Sequence, residues 1–160
     1  MSAVVSPRMI VKETVVPAPR AAVWEAWTTR EGIRTFLAPE ARVELRFRGP
    51  FEIHFDRDAP AGSQGSEGMT ILSYLPEEML SFTWNNPPEL AEIRHETTFV
   101  VVQFMAVSPG ETRVKLTHLG WPEGAIWDRS FAYFDRAWGV VMDRLRRRFI
   151  DGPFGWRANG

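Results

Sequence analysis

The 160-residue sequence contains no cysteine. That absence excludes a disulfide framework, a thiol nucleophile and thiolate metal sites, and it leaves the cytoplasm as the default compartment. Histidine is scarce: His54, His95 and His118 lie far apart along the chain. The run His95-Glu96-Thr97-Thr98-Phe99 opens like the helical motif of a zinc protease, yet the second histidine is missing and the segment begins a strand. No apolar run approaches the roughly 20 residues of a membrane span. Residues 1–8 lack the basic start and apolar stretch of a signal peptide and read as a short mobile tail. A formal net charge of −1 gives no long-range attraction to nucleic acid or anionic lipid. No Gly-x-Ser-x-Gly elbow occurs. The carboxylates Glu77, Glu78, Glu123, Asp128 and Asp135 fall in turns or on the polar face of a helix, where solvated charge is the ordinary state. No catalytic residue, metal or cofactor follows from these patterns.

What the chain has in quantity is aromatic side chains, seven Trp and eleven Phe, many of which must line a core or a cavity. In residues 124–150, Trp127, Phe131, Phe134, Trp138, Val141, Leu145 and Phe149 recur at three- and four-residue spacing, the mark of a helix with one buried face. Burying such side chains at roughly 1.5 to 3 kcal/mol each makes docking of this helix comparable with the whole net stability of a domain. The run Arg144, Arg146, Arg147 and Arg148 suits the negative end of its dipole.

Ahead of the helix the period is mostly two. Residues 9–16 read as a first strand, followed by short helices near 19–29 and 31–37. Ala41, Val43, Leu45 and Phe47, then Phe51, Ile53 and Phe55, alternate with polar residues as a hairpin with one dry face. Residues 58–68 are rich in Gly, Ala, Ser and Pro and read as a mobile connection. Gly62, Gly65 and Gly68 imitate a phosphate loop but lack its Lys and its helix, so the segment reads as a flexible hairpin beside a pocket entrance. Strands are expected at 69–74, 79–84, 97–107 and 112–119. Residues 97–107 are apolar on both faces, as in a central strand with its outer face covered or a subunit contact. The order, one strand, two short helices, about six strands and a long helix, implies an antiparallel sheet in an α+β fold. Length and composition fit a single domain, 8–152, with tails at 1–7 and 153–160.

Strand parity turns His118 inward with Val114 and Leu116. It is either a core histidine satisfied by the protein or a polar anchor and proton donor for a guest. His54 shares the wet face of its strand with Glu52 and Asp56.

The segments Val15-Val16-Pro17-Ala18-Pro19-Arg20-Ala21-Ala22-Val23-Trp24, Leu75-Pro76-Glu77-Glu78-Met79-Leu80 with Phe82-Thr83-Trp84, and Thr112-Arg113-Val114-Lys115-Leu116-Thr117-His118-Leu119-Gly120-Trp121 resemble the START-like superfamily. The likeness is greatest to the branch related to the C-terminal domain of the heat-shock ATPase activator. It implies a helix-grip (START/Bet-v-like) fold, a curved antiparallel sheet around the C-terminal helix, often with a cavity for a hydrophobic or amphipathic ligand. The chain departs from the family pattern at Met79, where Arg is common, and at Ala137, where Gly commonly precedes the helix Trp.

The leading expectation is therefore a protein binding a small hydrophobic or aromatic molecule between sheet and helix, walled by Ile53, Phe55, Phe82, Trp84, Leu116, His118, Phe131, Phe134 and Trp138. A cyclase- or dehydratase-type enzyme using His118 is one alternative. An interaction module, either a homodimer through residues 97–107 or a chaperone-binding domain, is the other, with neither nucleic acid nor membrane as a partner.

Overall fold

The computed structural model describes residues 6–156. Residues 1–5 and 157–160, within the segments read as tails, lie outside the described residues. The elements follow the expected order: β1 (Ile10–Val16), α1 (Arg20–Thr28), α2 (Arg30–Ile33), β2 (Glu40–Val43), β3 (Phe51–His54), β4 (Ile71–Leu75), β5 (Met79–Trp84), β6 (Thr98–Ser108), β7 (Glu111–Leu119) and α3 (Ala125–Asp151). A short 3₁₀ turn at Ala91–Ile93, with no periodic signal of its own, lies between β5 and β6.

Five strands form an antiparallel sheet in the order β1-β7-β6-β5-β4, and β2 pairs with β3 in a smaller one. The small sheet joins the large one through a bridge between Pro50 and Thr70. Alternation sets the inner face: Val114, Leu116 and His118 of β7 and Val100, Val102 and Phe104 of β6 are buried. The helix α3 runs beside β1 and reaches His118 through Phe134 and Trp138, while Trp24 of α1 packs on Phe104. Trp127, Phe134, Trp138, Val141 and Leu145 of the helical stripe are buried, while Phe131 and Phe149 are half-buried against the same core.

The strand at 97–107 is β6, central in the sheet. Its outer face grades from half-buried Phe99 and Val101 to exposed Met105 and Val107. The dry hairpin face is shorter than alternation suggested. Pairing stops at Val43 and resumes at Phe51, and Phe47 is 70% exposed. Between these points the chain makes a compact loop in which Glu44 bonds Pro50, Arg46 bonds Glu44, and Arg48 adopts φ 62°. Arg48 N–H then donates to the Ile71 carbonyl at 2.9 Å. The loop is thus drawn onto β4, which takes Phe47 out of the face that periodicity assigned to it.

Thr29 joins α1 to α2, its hydroxyl accepting from the Gly32 amide at 2.9 Å. A Cβ at position 32 would fall 2.6 Å from the Ala26 Cα, so only glycine lets the two helices come this close. Beyond α3 the chain doubles back: Phe154 N–H donates to the Thr35 carbonyl at 2.8 Å and the Trp156 indole to the Arg34 carbonyl at 2.6 Å.

Candidate functional site

His118 lies in β7 between Ile10 of β1 and Val100 of β6 and is 0% exposed. The Trp138 indole N–H of α3 donates to its Nδ1 at 2.9 Å. Because an indole can only donate, Nδ1 is the acceptor and the ring proton resides on Nε2, which donates to Thr98 Oγ1 at 2.6 Å. The Thr98 hydroxyl in turn points at the Trp84 carbonyl, 3.5 Å away. Burial holds the imidazole well below its usual range, at about 3, so it is neutral. Trp121 lies over the ring at 4.3 Å and Phe134 flanks it at 5.1 Å. His118 is a core histidine with both nitrogens satisfied by the protein. It offers no proton to a guest in this geometry.

The side chains around it pack on one another. Ile53, Phe82 and Leu116 are completely buried, and Phe82 stacks on Phe51 with ring centres 4.1 Å apart. Phe131 turns elsewhere, against Trp121 at 5.4 Å and beneath the Arg8 guanidinium at 4.8 Å. The opening lies at the flank of α3. There Phe55 and Trp84, from the sheet side, face Tyr133, Phe134, Ala137, Trp138, Val140 and Val141 across a groove of about 380 Å³, with Arg136 and Arg144 also in its wall. Of the nine residues expected to line a pocket, Phe55, Trp84, Phe134 and Trp138 do so. The other five lie behind or away from it. Phe55 sits edge-on to Trp84 at 6.3 Å and Trp84 packs on Trp138 at 5.2 Å, so the sheet side of the groove is tied to the helix by a continuous aromatic contact. The Ala137 methyl forms part of the helix side of the wall.

A second recess of about 210 Å³ shares Phe55, Trp84, Tyr133 and Phe134 with the groove and is otherwise polar, walled by Ser63, Gln64, Asn85, Asn86 and Arg94 among others. Its frame is a hydrogen-bond network that no sequence motif announced. The buried Arg94 guanidinium donates to the Gly62 and Gly65 carbonyls at 2.7 and 2.8 Å, and also to the Asn86 carbonyl. Glu67 accepts from the amides of Gln64 and Gly65 at 2.7 and 2.9 Å, and from that of Gly62. Burial pushes the Glu67 carboxyl up, but these amide donors outweigh it and hold it below the usual range. Burial lowers the Arg94 value, and the nearby Glu67 charge opposes that change. Asn86 donates to the Ile93 and Glu96 carbonyls at 2.9 and 3.0 Å and accepts from Ser130 of α3 at 2.5 Å. The connection at 58–68, read from composition as mobile, is thereby pinned to the 3₁₀ turn and, through it, to the helix. A Cβ on Gly65 would collide with the Ile53 carbonyl, which makes glycine necessary where the connection crosses β3.

Several other ionic groups have ordinary partners. Asp128 pairs with Arg8 at 2.8 Å and Asp135 with Lys12 at 3.0 Å. His54 faces Gln64 at 2.8 Å. Among the described residues no cluster of three or more His, Asp or Glu could hold a metal ion, and no helix is long and apolar enough to cross a membrane.

An antiparallel sheet closed by one long C-terminal helix, with a groove where they part, defines an α+β helix-grip protein of the START-like superfamily. Within it, the chain belongs to the family described as activator of Hsp90 ATPase homolog 1-like protein, whose model matches residues 17–149. No curated protein gives a significant match. Solved structures share the fold at low identity. Protein MLL2253 from Mesorhizobium loti is 19% identical with a TM-score of 0.67, over 88% of this chain and 95% of that one. The Aha1 dimer from Colwellia psychrerythraea is 18% identical with a TM-score of 0.68, over 91% and 98%. CalU16 from Micromonospora echinospora is 20% identical with a TM-score of 0.66, over 96% and 83%.

Proposed function

We propose that this protein, as one domain spanning residues 8–152 and acting in the cytoplasm, binds a small apolar or aromatic molecule in the groove beside α3. The observation that carries this reading is the groove itself: about 380 Å³ of concave space, within the size range of small-molecule sites, walled by rings that the surrounding core already holds in place. The cyclase-type alternative loses its proposed donor, because His118 is sealed behind the wall and both its nitrogens are engaged.

The test is titration with the uncharged methyl ester of 1-pyrenebutyric acid, followed by quenching of tryptophan emission, alongside native mass spectrometry of freshly purified protein. Saturable one-site binding is expected in the native chain, and its loss in Ala137→Trp, which fills the groove from the helix side. Unsaturable quenching, or equal binding by the variant, would remove the groove from the function.

A second reading rests on exposed Met105 and Val107 on the outer face of β6 together with the dimeric state of the Colwellia relative. It is a homodimer packed through that face. Light scattering across a concentration series tests it: a monomer mass throughout, or a dimer unaffected by Met105→Glu, counts against it.

A further inference from the structure

Two cations stand in the wall of the groove. Arg136 and Arg144 lie eight residues apart on α3 with Val140 midway, a separation of about 12 Å along the axis, and both line the apolar space. Neither takes part in an ion pair among the described residues, whereas the acids nearest them on the helix are committed elsewhere, Asp135 to Lys12 at 3.0 Å and Asp143 to Arg147 at 3.0 Å. No carboxylate contributes to the groove wall, whereas Asp143 and Asp151 line the adjoining recess that shares Arg136, Val140 and Arg144.

Arg144 is also held in place. Its guanidinium lies 5.0 Å from the Phe154 ring centre and 5.2 Å from that of Trp156. Those rings are fixed in turn by the bonds of Phe154 and Trp156 to the Thr35 and Arg34 carbonyls. The two ring centres are 4.5 Å apart, so both rings lie to one side of the guanidinium, and a cation–π contact of this kind leaves N–H donors for an acceptor. The doubled-back segment after α3 thus acts as a bracket for a positive charge at the mouth of an apolar groove.

We infer that the groove is built for an amphipathic acid, an aromatic or aliphatic body carrying one carboxylate. The body packs against Trp84, Phe134 and Ala137, and the carboxylate meets Arg144, with Arg136 adding long-range attraction. This rests on the groove being a binding site, the reading given above, and adds the charge of its occupant.

The experiment compares 1-pyrenebutyrate with its methyl ester, equal in body and differing in charge, in low salt at neutral pH. Because the cations are partly solvated, the acid should bind about fivefold more tightly than the ester, and the preference should shrink as ionic strength rises. Arg144→Met should remove most of this preference and Arg136→Met a smaller part, each read as the ratio of acid to ester affinity within the same variant. Arg144→Lys, which keeps charge without the planar fork, should restore it partly. Equal affinity for acid and ester, or a preference that survives both Met variants in folded protein, overturns the inference and leaves the apolar groove standing. Binding of neither molecule by the native chain overturns both.

Discussion

Mild acidification, between pH 6.5 and about 5, should weaken this fold chiefly through one residue. His118 is neutral in the folded state, with its value driven to about 3 by burial, against about 6.5 in an unfolded chain. A base with a depressed value binds fewer protons folded than unfolded, so stability is complete above pH 6.5 and falls as acid is added, until the folded value is reached. At pH 5 the difference in proton uptake corresponds to a loss of about 2 kcal/mol. Glu40 is held at about 2, chiefly by its hydrogen bond from Arg30. Its contribution is lost from its ordinary value of 4.5 downward, as is that of Glu67, whose carboxyl is also held low. These windows overlap that of His118 in stronger acid, and only the stretch from pH 6.5 to about 5 reports His118 alone. Urea unfolding followed by tryptophan fluorescence at pH 7.5, 6.5, 5.5 and 5.0 measures the slope. In His118→Gln, less stable at neutral pH, the difference between pH 7.5 and 5.0 should shrink by about 2 kcal/mol relative to the native chain. Nitrogen chemical shifts should show Nε2 protonated and Nδ1 bare throughout. Equal slopes for the two proteins, or an imidazolium signal in folded protein at pH 5, would refute the reasoning.

Arg94→Met leaves the Gly62, Gly65 and Asn86 carbonyls and the Glu67 carboxylate without their guanidinium partner, and should cost about 3 kcal/mol. Hydrogen exchange should quicken first at residues 60–67, and uniform quickening over the whole chain would contradict the pinning role. Gly32→Ala places a methyl against the backbone of α1 and should lower stability by about 1 to 3 kcal/mol, read as a drop in urea midpoint. An unchanged midpoint would show that α1 and α2 can separate without penalty.

The fold was open to sequence reasoning because its signals are local. The three- and four-residue spacing from Trp127 to Leu145 and the parity of Val114, Leu116 and His118 each report which side of an element is dry. Sheet and helix then meet along those sides. The site was legible only in part. Parity gives the inward direction of Ile53, Phe82 and Leu116 but not whether space remains in front of them, and Phe51 stacked on Phe82 fills it. The groove lies where the helix surface passes from buried Trp138 to exposed Val140 and Tyr133, residues that a search for the most buried stripe sets aside. Arg94, Glu67, Asn86 and Ser130 escaped notice for a different reason. Their partners are up to 44 residues distant in sequence, and each looks like an ordinary loop or helix polar residue until the chain brings them together. Phe47 was misplaced because alternation continues in sequence past the point where pairing ends at Val43.

The aromatic seam centred on His118 is sealed, and the groove lies outside it. Residues such as Phe55, Tyr133 and Val140 are partly solvent-facing, so exchanging them should seldom change stability by more than about 0.5 kcal/mol. Trp84, Phe134 and Trp138 serve both the seam and the deep wall of the groove, so folding and molecular preference part only at the rim. A lineage built on this scaffold could change its guest by altering that margin alone while the seam kept the helix in register.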